Sequence, residues 1–375
     1  MIVKKENGLA SITDGKRVLV VDRSGRLLIY SNGRDTYRRS LFNEFIKVGY
    51  KDGIRVAKVL SEEEAKGVAA EAYSFLFSAR DELNGYLDNL DGLGWDFLVK
   101  DSARLFKIYR GPVPIVPPDQ YFPIYVQLTV GCAWNRCTFC HLYKDKSYRV
   151  LNEEELVKMI DELKEYFGPS LPSRRSVFLG DANALLLEYG ILSNYLKIIR
   201  RSFDLPIYSF IDAFLTPNKL KEEEIKGLKS LGVERVYFGV ESGSEEVLKL
   251  LNKPLDPEEA VEFINSFKRA GIHVGVIFLA GAGGKRYWEQ HIIKSAELAS
   301  RLRLDRKDII YVSPLHEYKD LPYWEIAKEV GLLSYKDKIN QFNEMKKAIE
   351  EAYLRRNSKE LEAPVVLYDI VEAVY

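Results

Sequence analysis

Six times between residues 123 and 314, an apolar run of strand length is followed by a stretch that reads as a helix. The runs lie at 124–130, 176–179, 207–211, 235–240, 273–279 and 308–312. Short runs that are apolar at nearly every position fit strands buried on both faces. Helix starts follow several of them. Asn152 precedes three glutamates, and Thr216-Pro217 and Asp256-Pro257 each set a capping oxygen before a first-turn proline, where the missing N–H costs least. Alternation of this kind predicts a parallel sheet with helices on its faces. Six units suit an open barrel or a doubly wound sheet, and the pattern alone does not separate them.

The flanks read differently. Residues 1–118 predict a small α+β domain with a proline-rich linker at its end. Runs at 17–21 and 26–30 flank the turn Asp22-Arg-Ser-Gly25, and Ser61-Glu-Glu-Glu64 is a capping box opening a helix toward Leu90. Four prolines within 112–118 forbid a continuous helix or central strand there. Residues 119–335 form the predicted (β/α)6 core, and the charged, helical residues 336–375 a C-terminal cap. The expected class is thus α/β.

Lysine plus arginine equals aspartate plus glutamate, 55 each, so no net field holds a polyanion, and no nucleic-acid partner is expected. No 18-residue apolar stretch occurs, and the first residues lack the apolar core of a signal peptide. A cytoplasmic protein without a membrane span is the expectation, and clustered thiols with none elsewhere suit a reducing compartment.

All three cysteines, Cys132, Cys137 and Cys140, fall within nine residues as C-x4-C-x2-C, directly after the first strand of the repeat. In a parallel barrel the loops at the carboxyl ends of strands carry function. Three thiolates on one loop can grip an iron–sulfur cluster or form most of a zinc site.

The run Cys132-Ala-Trp-Asn-Arg-Cys137-Thr-Phe-Cys140 resembles the signature of the radical S-adenosylmethionine (SAM) enzymes. The commonest form has three residues between the first two cysteines; four resembles an uncharacterised subgroup. The resemblance covers roughly residues 122–330. It implies a partial (β/α)6 barrel of the TIM type and a [4Fe–4S] cluster on Cys132, Cys137 and Cys140, with SAM on the fourth iron. Phe139 belongs to the same signature. Gly180-Asp181-Ala182, ending the second strand, is similar to the segment whose backbone meets the SAM amino group. Glu241, ending the fourth, is similar to the acidic residue that binds the SAM ribose. Lys253 matches a basic residue that reaches the SAM carboxylate. Residues 275–281 match the strand that cups the adenine, and Ser209 or Asp212 supplies a polar contact from the third strand. The implied activity is reductive cleavage of SAM to a 5′-deoxyadenosyl radical. That radical abstracts hydrogen from a small-molecule substrate, with electrons from a low-potential donor of the ferredoxin or flavodoxin type. Such chemistry is oxygen-sensitive.

Plainer readings compete. The thiols with His141, His273, His291 or His316 would make a zinc-stabilised scaffold. A cluster without a SAM-binding carboxylate would make an electron-transfer or sensing protein. Glu241 could be an ordinary ion-pairing carboxylate, Lys253 a solvated lysine, Gly180-Asp181 a common turn and His316 a loop histidine. No cysteine remains for auxiliary clusters, so family branches that need them are not expected. Residues 1–110 do not read as a cobalamin-binding domain. The C-terminal part does not read as the small β-barrel that tRNA-modifying relatives append.

Overall fold

The protein is described here from a computed structural model that covers all residues except 52–53, 217–219 and 373–374. It divides into two compact units. The first comprises Met1–Ile124, Val157–Ser176 and Val371–Tyr375; the second comprises Tyr125–Leu156 and Val177–Ile370. The sequence-based boundaries lie at 118 and 335, whereas the first compact unit also takes in 157–176 and 371–375. Residues 157–176 belong to the first unit because Arg26 and Ser24 bond to them, at Tyr166 O (2.6 Å) and Ser170 Oγ (2.9 Å).

In the first unit, β1 (Ile2–Glu6), β2 (Leu9–Thr13), β3 (Val18–Asp22), β4 (Leu27–Ser31), β5 (Thr36–Arg39), β6 (Phe45–Lys51) and β7 (Ile54–Val59) pair in chain order as an antiparallel meander. The predicted hairpin is β3–β4. Three helices follow: α1 (Glu62–Phe77), α2 (Arg80–Leu83) and α3 (Trp95–Tyr109). The Ser61–Glu64 capping box forms, but α1 stops at Phe77, short of Leu90. The sheet's inward residues, among them Ile12, Val21, Tyr30 and Phe45, share one core with Val68, Ala72, Phe75 and Leu76 of α1.

The rest of the chain supplies β8 (Pro123–Gln127), β9 (Thr129–Val130), β10 (Arg149–Val150), α4 (Glu153–Phe167), β11 (Ser176–Gly180), α5 (Tyr189–Ser202), β12 (Ile207–Ile211), α6 (Glu222–Ser230), β13 (Val233–Glu241), α7 (Glu245–Leu250), α8 (Pro257–Arg269), β14 (His273–Ala280), α9 (Trp288–Ser300), β15 (Ile309–Pro314), α10 (Tyr323–Val330), α11 (Tyr335–Asn357) and β16 (Val365–Leu367). The six expected strands are β8 with β9, then β11, β12, β13, β14 and β15. Their sheet runs β8-β11-β12-β13-β14-β15-β16, parallel from β11 onward. This consecutive order is the partial (β/α) barrel; a doubly wound sheet would reverse order at a switch point. A seventh strand, β16, joins from a region expected to be helical. Asn152 and Asp256 cap α4 and α8 as the sequence predicts. Pro217 lies outside the described residues, and α6 starts later, after Lys221.

The two faces of the sheet differ. Phe238 packs edge-on against Phe263 and Phe267 of α8, so its face looks toward the helices. The opposite face carries the aromatic set Tyr125, Phe178, Phe210 and Tyr237, with ring centroids 5.2–6.1 Å apart. A Cβ at Gly275 would lie 2.3 Å from the Tyr237 ring, so this packing needs glycine there. Among the described residues, no helix is long and apolar enough to cross a membrane.

Candidate active site

The cysteine loop leaves β9 through Gly131, whose φ of +74° puts the backbone where an L side chain is strained. Asp181 fixes that exit. Its buried carboxylate accepts hydrogen bonds from Gly131 N (2.9 Å), Tyr125 OH (2.8 Å) and Gln127 Nε2 (2.9 Å), with Lys146 Nζ at 3.7 Å. Its own N–H donates to Thr129 O at 3.0 Å. The Gly180-Asp181-Ala182 segment thus sits against the root of the loop, and the Asp181 side chain is occupied in holding it.

The longer first interval is accommodated at Asn135, which takes a left-handed φ of +46°. Asn135 N donates to Cys132 Sγ (3.3 Å), its side chain to Tyr143 O (2.7 Å), and Lys144 Nζ reaches the carbonyls of Asn135 and Cys137. The loop is also tied to the end of α7. Thr138 bonds to Leu250 O and Leu251 O, Trp134 Nε1 to Asn252 O, and Asn252 Nδ2 to Arg136 O. These bonds bring Lys253 to the cysteines.

Glu241 ends β13 just past a register shift against β14, at a left-handed φ of +65°. Its Oε1 lies 2.7 Å from Lys253 Nζ, and both residues are buried. A Cβ at Gly239 would stand 2.5 Å from Glu241 Oε1 and 3.1 Å from Lys253 Nζ, so glycine leaves the cradle in which the pair meets. Burial opposes the charge on Lys253, but Glu241 and then Cys137 outweigh it and hold its pKa above the ordinary value. Burial pushes the Cys137 thiol up to about 11, with Lys253 pulling it back, and raises Cys140 too. Such thiols ionise at neutral pH when a metal replaces the proton.

A buried relay stands behind this turn. His291 is fully buried and its Nε2 faces Leu279 O at 2.9 Å, so that nitrogen carries the proton. Nδ1 then accepts from Ser242 Oγ (2.8 Å), and Ser242 Oγ accepts from Ser244 N (3.0 Å). Burial lowers the His291 pKa to about 4. The native state therefore keeps His291 neutral in a range where the unfolded chain, with a pKa near 6.5, takes up a proton. Stability is fully present above about pH 6.5 and declines as pH falls toward 4, by on the order of 2–4 kcal/mol. Urea midpoints across that range, flatter in His291→Phe than in the native chain, are the expected result.

The other expected contacts divide. Phe139 is partly buried against the cluster of Val247, Leu251, Leu279 and Leu315, and lines a pocket with Cys140. Ser209 is a correction. It pairs in register with Leu179 and Val236, the face that looks toward the helices, and its hydroxyl donates to Phe210 O at 2.9 Å. The alternative, Asp212, lies just past the strand end, close enough to act on the Lys253 charge. Its carboxylate takes the N–H groups of Phe214 and Thr216 and the amide of Asn183. Asn183 is buried with its Oδ1 unbonded, an acceptor that sequence reading missed.

No histidine joins the thiols at single-ion distance. Among the described residues, only His273, Asp305 and Asp308 bring three ligand atoms within 4.8 Å, and Lys268 already fills that cluster. A zinc–thiolate site holds sulfurs closer than this, with Zn–S about 2.3 Å. His316 instead bonds Asp369 (2.8 Å), which also accepts from Tyr335 OH (2.8 Å). The donor set is three free thiols with a buried acid–base pair beside them, and it fits a cuboidal cluster with one open iron better than a closed zinc site.

The sequence profile of the radical SAM superfamily matches residues 126–312, about half the chain. An uncharacterised methyltransferase of Pyrococcus horikoshii is 25% identical over 232 residues, 59% of this chain and 47% of the relative. The 4′-phospho-dehydrooxetanocin synthase of Priestia megaterium is 27% identical over 168 residues, 40% of this chain and 22% of the relative. The chain thus spans less than half the length of these curated relatives. Among solved structures, methylornithine synthase aligns over 71% of this chain and 75% of its own at 16% identity, with a TM-score of 0.45.

Proposed function

This chain belongs to the radical SAM superfamily, and on that premise we propose that it is a single-cluster enzyme that cleaves SAM reductively and abstracts hydrogen from a small molecule. When bound, the reduced cluster supplies one electron to SAM, giving methionine and the 5′-deoxyadenosyl radical that takes a substrate hydrogen atom. Everything else is positioning. Cys132, Cys137 and Cys140 would hold the cluster, and Asp181 fixes where their loop begins. Lys253 receives the SAM carboxylate and Glu241 the ribose hydroxyls, while the Gly180-Asp181-Ala182 backbone meets the amino group. Phe139, Leu279 and Leu315 keep water from the reacting carbon.

The observation that carries this reading is the buried Glu241–Lys253 pair, tied through Thr138 and Trp134 to the thiol loop. Electron transfer alone asks for no such pair. The test is anaerobic reconstitution with iron and sulfide, reduction with SAM present, and assay of 5′-deoxyadenosine and methionine. Equimolar products, absent from Cys137→Ala, are expected. A well-formed cluster that neither responds to SAM nor cleaves it would return the protein to the electron-transfer class.

A further inference from the structure

The chain leaves β15 through Leu315, His316 and Glu317, and that exit is held from several sides. Leu315 N donates to Ala280 O at 2.8 Å. Lys338 of α11 ties Leu315 O to the Glu317 carboxylate. β16 pairs with β15 as far as Leu367, opposite Val312, and so delivers Asp369 beside His316. His316 Nε2 lies 2.8 Å from Asp369 Oδ1, and Asp369 Oδ2 accepts from Tyr335 OH, one helical turn before Lys338, at 2.8 Å. An ionised carboxylate only accepts, so His316 Nε2 carries the proton and Nδ1 presents a lone pair. Nδ1 has no partner among the described residues, and the side chain is 27% exposed. An imidazole oriented through one nitrogen by a carboxylate, itself held by a tyrosine, has its other nitrogen fixed for binding.

His316 lines a pocket that also takes in Cys140, the last of the three thiols. Phe139, Leu279 and Ile370 give it apolar walls. Ser313, whose hydroxyl has no partner among the described residues, lines it too. The second histidine there, His141, has its ring against that of Tyr318, with centroids 4.3 Å apart. Among the described residues, no lysine, arginine or carboxylate lines this pocket, so nothing fixed in it neutralises a charged ligand, and an ion would lose its hydration without repayment. Apolar walls with a few placed polar groups suit a small molecule.

We infer that this pocket is the substrate site, and that it takes an uncharged, mainly apolar small molecule whose hydroxyl donates to His316 Nδ1. Asp369 and Tyr335 are positioning residues that act through His316. The assignment as substrate site rests on the activity proposed above, whereas the binding does not.

The test uses the full chain, with and without its cluster, and three probes that share a fluorophenyl ring: 4-fluorobenzyl alcohol, 4-fluoroacetophenone and 4-fluorobenzoate. Fluorine NMR titration reads their binding whether or not SAM is cleaved. The alcohol should bind about three- to tenfold tighter than the ketone, which lacks a donor, and at least tenfold tighter than the benzoate. His316→Phe keeps a ring in place and should bring the alcohol down to the level of the ketone, with ketone binding unchanged. Asp369→Asn keeps an oxygen for Tyr335 and turns an amide N–H to Nε2, which moves the imidazole proton to Nδ1. The ketone should then bind as well as the alcohol. A purely structural role would weaken all three probes alike in both variants, and that result overturns the proposal. So does tightest binding of the benzoate, binding of none of the probes, or an alcohol preference that survives His316→Phe. Should either variant fail to fold, the other decides. If the alcohol binds as expected while reduced, cluster-loaded protein leaves SAM intact, the proposed activity falls and the binding site stands. If SAM is cleaved but the order of the probes fails, the site falls and the activity stands.

Discussion

Glu241→Ala should weaken SAM binding, and with it SAM cleavage at limiting SAM, on the order of 10–100-fold while leaving iron loading intact, and it should also unfold more easily. Two separate losses are involved. The ribose loses a charged acceptor, and hydrogen bonds to charged groups contribute about 1.5–3 kcal/mol, on the order of 10–100-fold in affinity. Lys253, with only 8% of its side chain exposed, loses its counter-charge, and breaking a buried ion pair costs about 3–5 kcal/mol. Glu241→Gln separates the two, since the amide keeps the shape and one acceptor. SAM titration of the reduced cluster, followed spectroscopically, reads the first loss, and urea unfolding reads the second. The double variant Glu241→Ala/Lys253→Met should be more stable than Glu241→Ala alone, because no charge is then left buried. If the double variant falls by the sum of the single effects, the pair is not acting as a unit. If Glu241→Ala cleaves SAM at the native rate, the assignment to the ribose is wrong.

Asp181→Ala should be as damaging by a different route. It removes the acceptor shared by the Tyr125 hydroxyl, the Gln127 amide and the Gly131 N–H, and the acid beside Lys146. A buried donor that loses its acceptor costs about 1–3 kcal/mol, not additively, so a loss of about 3–5 kcal/mol is expected. Because Gly131 directly precedes Cys132, iron bound after reconstitution should fall with stability. Asp181→Asn, which keeps one acceptor oxygen, should lose less of both. Full iron loading in Asp181→Ala would mean that the cysteine loop does not depend on this anchor.

Much of this was legible in the chain. Runs of strand length between capped helices gave strands within a few residues of their observed limits, and the cysteine spacing located the loop. The misses share a physical cause. Ser209 sits in Ile-Tyr-Ser-Phe-Ile, a run apolar on both sides of it, where sequence alternation does not tell which side chains point inward. The role of Asp181 depends on partners some 50 residues away, Tyr125, Gln127 and Gly131, and no local pattern encodes them. The left-handed turns at Asn135 and Glu241 are imposed by tertiary contacts, and Glu241 in particular carries no propensity for that conformation. Residues 157–176 read as part of the barrel repeat, yet Arg26 and Ser24 claim them for the first unit. Val365–Leu367 is too short a run to announce a strand without β15 beside it.

That last strand bears on how the protein is made. Translation delivers β15 about 50 residues before its outer neighbour exists. Throughout that interval Ile310, Tyr311 and Val312 present an open hydrogen-bonding edge to whatever is near, including the same edge of another nascent chain on the polysome. A transcript truncated before Val365 would fix that transient state permanently, and its product would be expected in inclusion bodies rather than as a shortened enzyme.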